Sequence, residues 1–167
     1  MPAAKLMCIA FLLITLEFPL PNLRAATIIL VRHAERPAET ANSVPLTRQG
    51  HKRAQLLARM LAGSGVKAIF TSDAMRTQQT AAPLAAQLHI EPSVLPANAT
   101  DVLVAQLQKL GPDEVVLVVG HSNTIPAIVG NLGGLTPPIA DSEFDRVVIV
   151  HTQIGGKSSV LNLHYGN

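Results

Sequence analysis

The chain of 167 residues has no tryptophan, one tyrosine, four phenylalanines and a single cysteine. With aromatics so scarce, the core must be assembled from Leu, Ile, Val and Ala, and the stacking platforms that hold single-stranded nucleic acid have little to be built from. Cys8 lies in the N-terminal segment, so the chain beyond it has no thiol for a disulfide, a zinc-thiolate cluster or a cysteine nucleophile. Blocks of one charge are also missing. Only 14% of residues are charged and the net charge is +2; from Thr27 onward eleven Lys/Arg face ten Asp/Glu, so the basic pI carries no nucleic-acid signal. No GxxxxGK[ST] or GxGxxG occurs, which removes the common nucleotide cradles, and the absence of GxSxG removes the usual serine-hydrolase elbow.

What is present begins with a leader-like segment. Lys5 precedes the apolar run LMCIAFLLITL (6–16), and a short polar stretch ends in LRAA (23–26). A basic start, an apolar centre and small residues before a cut are the layout of a secretory signal. The run is shorter than the about 20 residues a bilayer crossing needs. The expectation is therefore an exported product, periplasmic or secreted, with residues 1–26 as signal peptide and 27–167 as one catalytic domain. Residues 6–16 would contact a membrane only if the leader is retained as an anchor. A buried first helix is the plainer alternative.

Beyond Thr27, strand-like and helix-like segments alternate. TIILV (27–31), VKAIF (66–70) and EVVLVVG (114–120) read as buried strands, because their apolar residues run without alternation. LTRQGHKRAQLLARMLAGSG (46–65) reads as a helix capped by Thr47, with Ala54, Leu57, Ala58 and Leu61 on its apolar face and glycines at its end. A second helix is expected in 71–90, kinked or broken at Pro83. Loop 91–100 precedes a short helix over 101–110, and HSNTIPAIVGNLGG (121–134) opens another. DRVVIVHT (145–152) and SSVLNLHY (158–165), joined through IGGK, read as an antiparallel hairpin at a sheet edge. The predicted fold is α/β: a three-layer α/β/α sandwich with a mostly parallel central sheet and that C-terminal edge hairpin.

In such sheets ligands bind beyond the carboxyl ends of the strands. The first strand ends at Arg32–His33 and the most apolar one at Gly120–His121, so both histidines fall on that rim. Alone, either would read as a histidine satisfying a backbone carbonyl. Arg32, and Arg76 at the start of the second helix, change that reading. Two guanidinium forks and the amides around Ser122, Asn123 and Thr124 suit a dianionic phosphoryl group, and a neutral imidazole can attack phosphorus. A metal held by His33 and His121 with Glu35 or Asp101 is the chemical rival, disfavoured by the neighbouring arginines.

The blocks VRHAE (31–35), PLTRQGHKRAQLLA (45–58), FTSDAMRTQQTAAPLA (70–85) and VVGHSNT (118–124) together resemble the histidine phosphatase superfamily, of phosphoglycerate mutase-like fold. The resemblance runs from Thr27 through His151. It implies that His33 is the nucleophile that becomes phosphohistidine, that Arg32 and Arg76 hold the phosphoryl oxygens, and that His121 contacts the same group. It also implies a hydrolase with no metal and no cofactor, acting on a phosphorylated small molecule or an exposed phosphoryl group. In size the chain resembles the small bacterial phosphohistidine phosphatases. A catalytically weak phosphoryl-binding protein and a phosphomutase of the same fold are the alternatives.

The general acid is where the resemblance departs from larger members. The segment that carries their glutamate reads EPSVLPANATD here, and its acids are Glu91 and Asp101. Asp101 and Glu35 are the candidate proton donors, each with a competing role: helix capping for Asp101, pairing with Arg36 for Glu35.

Overall fold

The structure is a computed structural model that describes residues 25–39, 41–152 and 157–166. The leader reading, except for its last two residues, lies outside these, as does the centre of the IGGK link. Ten elements follow one another: β1 (Thr27–Arg32), α1 (Arg48–Leu61), β2 (Val66–Ser72), α2 (Met75–Leu88), β3 (Ser93–Leu95), α3 (Thr100–Leu107), β4 (Val115–Gly120), α4 (Thr124–Asn131), β5 (Arg146–His151) and β6 (Ser159–His164). They form one six-stranded sheet of order β3-β2-β4-β1-β5-β6. β3, β2, β4 and β1 are mutually parallel. β5 runs antiparallel to β1, and β6 antiparallel to β5 at the edge. The α/β class, the mostly parallel sheet and the antiparallel C-terminal hairpin are as the sequence predicts.

Period-two alternation divides the central strands between two apolar layers. Ile28, Leu30, Val116 and Val118 pack with Val104 and Leu107 of α3 and Ile125, Ile128 and Val129 of α4. Ile29, Val31, Leu117 and Val119 pack on the other face with Leu57, Ala58 and Leu61 of α1 and Ala81, Leu84 and Ala85 of α2. Because both faces are covered, the strands read as unbroken apolar runs. Burying each such Leu, Ile or Val contributes about 1.5–3 kcal/mol, against the entropy of ordering the chain.

Three expectations need correction. Pro83 does not split α2 into two elements: the helix is continuous from Met75 to Leu88. The carbonyl one turn back loses its amide partner, and burial of Leu84 and Ala85 beside the proline holds the helix on the sheet. The segment 91–100 is not wholly loop, since Ser93–Leu95 pairs with β2 as a third parallel edge strand. Three residues between Pro92 and Pro96 are too few for a periodic signal, and tertiary pairing decides the assignment. Finally, α3 begins at Thr100 with Ala99 at its cap, so Asp101 lies in the first turn and does not cap.

The start of α1 carries the fold into the site. Thr47 caps it as expected, its hydroxyl accepting from the Gly50 amide at 3.1 Å. The same residue's amide donates to the Glu35 carbonyl at 2.9 Å, which ties the loop after β1 to the helix. Gly50 packs against that loop so closely that a β-carbon there would overlap the Glu35 backbone. Gly50→Ala is therefore expected to destabilise the domain despite the better helix propensity of alanine, by about 1–3 kcal/mol for an overpacked site. Thermal unfolding should show a midpoint lower by several degrees; an unchanged or raised midpoint would show that the loop yields.

Candidate active site

β1 and β4 are adjacent and parallel, and their register pairs Arg32 with Gly120. The ladder extends one step further, the His33 amide donating to the Gly120 carbonyl at 3.0 Å. Two residues far apart in sequence, His33 and His121, are thereby set side by side, with ring centroids 5.5 Å apart in an edge-to-face arrangement. Around them opens a pocket of about 270 Å³, lined among others by Arg32, Arg76, Arg36, Ser122 and Asp141. His33, Arg32, Arg76 and His121 all line this one pocket. Glu35 and Asp101 do not line this pocket.

His33 forms the pocket floor, 3% exposed. Its Nδ1 lies 2.8 Å from the Ala34 carbonyl. A carbonyl only accepts, so Nδ1 carries the proton and the lone pair of the neutral ring resides on Nε2. The loop that holds it is pinned in turn, the Ala34 amide donating to the Thr80 hydroxyl at 2.9 Å. Burial, opposed by the Ala34 hydrogen bond and aided by the charge of Arg32, lowers the His33 pKa to about 3. At neutral pH the ring is an uncharged base.

His121 is fixed by a chain of hydroxyls. Thr77 Oγ1 lies 2.7 Å from the Ala74 carbonyl and 3.0 Å from that of Ser72, so its one proton goes to a carbonyl. Ser72 Oγ, 2.9 Å from Thr77 Oγ1, must then be the donor of that pair. Ser72 is left to accept from His121 Nε2 at 3.0 Å. The proton of neutral His121 is therefore on Nε2, and Nδ1 is the atom with a lone pair. Burial first, then Arg76 and Arg32, lowers the His121 pKa to about 4.

The three arginines are held differently. Arg32, 5% exposed, shares its Nη1 among the carbonyls of Ala140, Asp141 and Glu143 at 2.8, 2.8 and 3.0 Å, and stacks over the Phe144 ring at 4.2 Å. One side of its fork is thus committed to the loop before β5. Among the described residues, Arg76 makes a single long bond, 3.4 Å to the Ala41 carbonyl. Arg36 uses Nη1 on the carbonyls of Pro37 and Glu39. Among the described residues, the Nε of all three is buried and has no hydrogen-bond partner. Three guanidinium groups line one pocket, with burial lowering the pKa of Arg32 and Arg76, and an oxyanion there would relieve their crowding.

Sequence reasoning missed Arg36 and Asp141. Arg36 was readable only as a partner for Glu35, but Glu35 goes to Arg53, whose Nε and Nη2 both lie 2.8 Å from Oε1, with Gln49 adding a bond at 3.1 Å. Glu35 is thereby withdrawn from the site as a proton donor. Asp101 lies instead along a separate groove beside α3 and α4 with Asn98, Asn123 and Asn131. A metal site at the two histidines finds no carboxylate among those expected to complete it.

Comparison with known proteins agrees with this geometry. Residues 28–98 match the family model of the histidine phosphatase superfamily (branch 1). That segment, less than half of the chain, resembles the histidine phosphatase superfamily. Among solved structures, the domain is similar to the protein histidine phosphatase SixA complexed with tungstate, with a TM-score of 0.68 at 24% identity, over 83% of this chain and 96% of that one. It is also similar to the alpha-ribazole phosphatase from Shigella flexneri, with a TM-score of 0.70 at 14% identity, over 83% and 96% of the two chains. At these identities the likeness is one of fold. A curated relative, the PE-PGRS family protein PE_PGRS11 of Mycobacterium tuberculosis, is 45% identical over 83 residues, which is 45% of this chain. The match spans only 14% of that relative's length.

Two predictions follow from the histidines. Between pH 6.5 and about 4 the unfolded domain binds protons that folded His33 and His121 refuse, so stability falls as pH falls through that window. The unfolding midpoint should drop from pH 7 to 4.5, and by less in a His33→Gln, His121→Gln double variant; an equal drop would assign the loss to other groups. Ser72→Ala should release the His121 ring. Ring nitrogen NMR is expected to show the Nε2–H tautomer in the wild type and a mixture in the variant, and tungstate affinity should fall about tenfold, as for a lost hydrogen bond of about 1.4 kcal/mol.

Proposed function

We propose that this domain is a phosphatase that transfers the phosphoryl group of a phosphate monoester or phosphoramidate to Nε2 of His33 and then to water. The observation that carries the reading is the lone pair of His33 Nε2, left free by the Nδ1–carbonyl bond at the floor of a pocket lined by three arginines. The arginine donors hold the phosphoryl oxygens, with Arg32 using the part of its fork that the carbonyls leave over. Nε2 forms the bond to phosphorus as the bond to the leaving group breaks, and the leaving group keeps that electron pair. The nitrogen needs no deprotonation, because burial already keeps the ring neutral at physiological pH.

His121 flanks the same group and serves the oxyanion. With Nε2–H committed to Ser72, it donates through Nδ1 only once a proton is taken up there, and a bound dianion favours that uptake. The second half-reaction reverses the geometry: water attacks phosphorus, and the electron pair of the N–P bond returns to Nε2. No metal enters either step. The tungstate bound by SixA is an oxyanion of the kind this pocket suits. The apolar run 6–16 supports an exported enzyme, whose N-terminus, sequenced from the secreted product, would begin near Thr27.

The test is trapping by alkaline quench on the form beginning near Thr27, with EDTA present. A labelled phosphoryl donor should leave an acid-labile, base-stable adduct on the wild type. His33→Ala should lose adduct and turnover together, turnover falling by at least about 10³-fold. Persistence of both in that variant would overturn the mechanism, as would activity abolished by the chelator. An adduct that forms but never turns over would instead show a phosphoryl-binding protein.

A further inference from the structure

Neither acid expected from the sequence reaches the site, which leaves open what protonates the leaving group. In phosphoryl transfer the attacking and departing atoms lie roughly in line through phosphorus. His33 is the pocket floor, so a leaving group opposite Nε2 points to the mouth. His121 stands beside His33, 5.5 Å between ring centroids, and so meets the oxygens around phosphorus. A proton donor for the leaving atom has to stand at the mouth.

Of the residues lining the pocket, one is a carboxylic acid: Asp141, with its side chain 96% exposed. It comes from the loop between α4 and β5, and the structure holds it over the arginine. The Arg32 Nη1 donates to the Asp141 carbonyl at 2.8 Å. Ser122, the residue after His121, donates its hydroxyl to Oδ1 at 3.2 Å. Arg32 Nη2 lies 3.8 Å from the same oxygen. Asp141 Oδ1 thus adjoins the phosphoryl-binding fork, while its other oxygen makes no hydrogen bond among the described residues. The remaining charged groups at the pocket are Arg32, Arg36 and Arg76, which stay protonated and give up no proton.

We propose that Asp141 is the proton carrier of the reaction, a role that rests on His33 being the nucleophile. In the first step the protonated carboxyl of Asp141 gives its proton to the leaving oxygen as the P–O bond breaks and Nε2 bonds to phosphorus. An alcohol departs and a carboxylate remains. In the second step that carboxylate takes a proton from the attacking water as its oxygen bonds to phosphorus and the N–P electron pair returns to Nε2. Asp141 ends protonated, His33 neutral, and inorganic phosphate carries the remaining proton of the water. A p-nitrophenolate leaves without such help, whereas an alkoxide does not.

The experiment compares Asp141→Asn with the wild type on p-nitrophenyl phosphate and on alkyl phosphates such as glycerol phosphate, alongside adduct trapping. General acid catalysis contributes about 10²–10⁴-fold. The variant is expected to lose at least about 100-fold in kcat on the alkyl esters, less than about threefold in adduct formation from p-nitrophenyl phosphate, and nothing in tungstate affinity. Asp141→Glu should recover part of the alkyl activity. An equal loss on all substrates with weakened tungstate binding would make Asp141 a structural prop of Arg32 and overturn the proposal. Unchanged alkyl turnover would overturn it as well. Absence of an adduct in the wild type would overturn the His33 reading and this one together; a wild-type adduct with a uniform loss in the variant removes only Asp141.

Discussion

Everything in the site depends on one parallel pairing, β1 on β4, and on its register. The ladder sets Arg32 opposite Gly120 and then adds the His33 amide on the Gly120 carbonyl. A shift of one residue would turn every side chain of β1 to the other face. Ile28 and Leu30 would exchange places with Ile29 and Val31 between the two cores, and His33 would leave His121. The register is held by eight apolar side chains in two layers, so the hydrophobic pattern of the strands and the position of the histidines are one constraint.

The second dependence is on loop 133–145. It supplies three carbonyls to Arg32, the Phe144 ring beneath its guanidinium, and Asp141 at the mouth. Phe144 also touches the His33 ring, their centroids 6.0 Å apart. Arg32 is therefore tied to the loop and to the pocket at once: its Nη1 keeps the loop in place and the residue lines the pocket. A buried cation bound mostly to neutral carbonyls is incompletely compensated, which is the physical reason for reading the pocket as an oxyanion site.

Much of this was legible from residue order. β-branched runs located β1, β2 and β4; the spacing of Ala54, Leu57, Ala58 and Leu61 located α1; and the strand-end rule brought His33 and His121 to one rim. Less legible were features decided by partners distant in sequence. Ser93–Leu95 becomes a strand only because β2 offers an edge. Pro83 stays within a helix because the packing around it outweighs one missing hydrogen bond. Glu35, two residues from His33, turns away because Arg53 on the next helix offers a better partner than Arg36.

The sequence by itself determined the layers of the fold and the identity of the two histidines and of Arg32 and Arg76, since apolar periodicity and strand ends are local properties of the chain. It did not determine which nitrogen of each ring is free or which acid lines the pocket. Those follow from single hydrogen bonds: Ala34 on His33 Nδ1, Ser72 on His121 Nε2, and Ser122 on Asp141. A hydrogen bond has a reach of about 3 Å, and only the folded chain decides what lies within it.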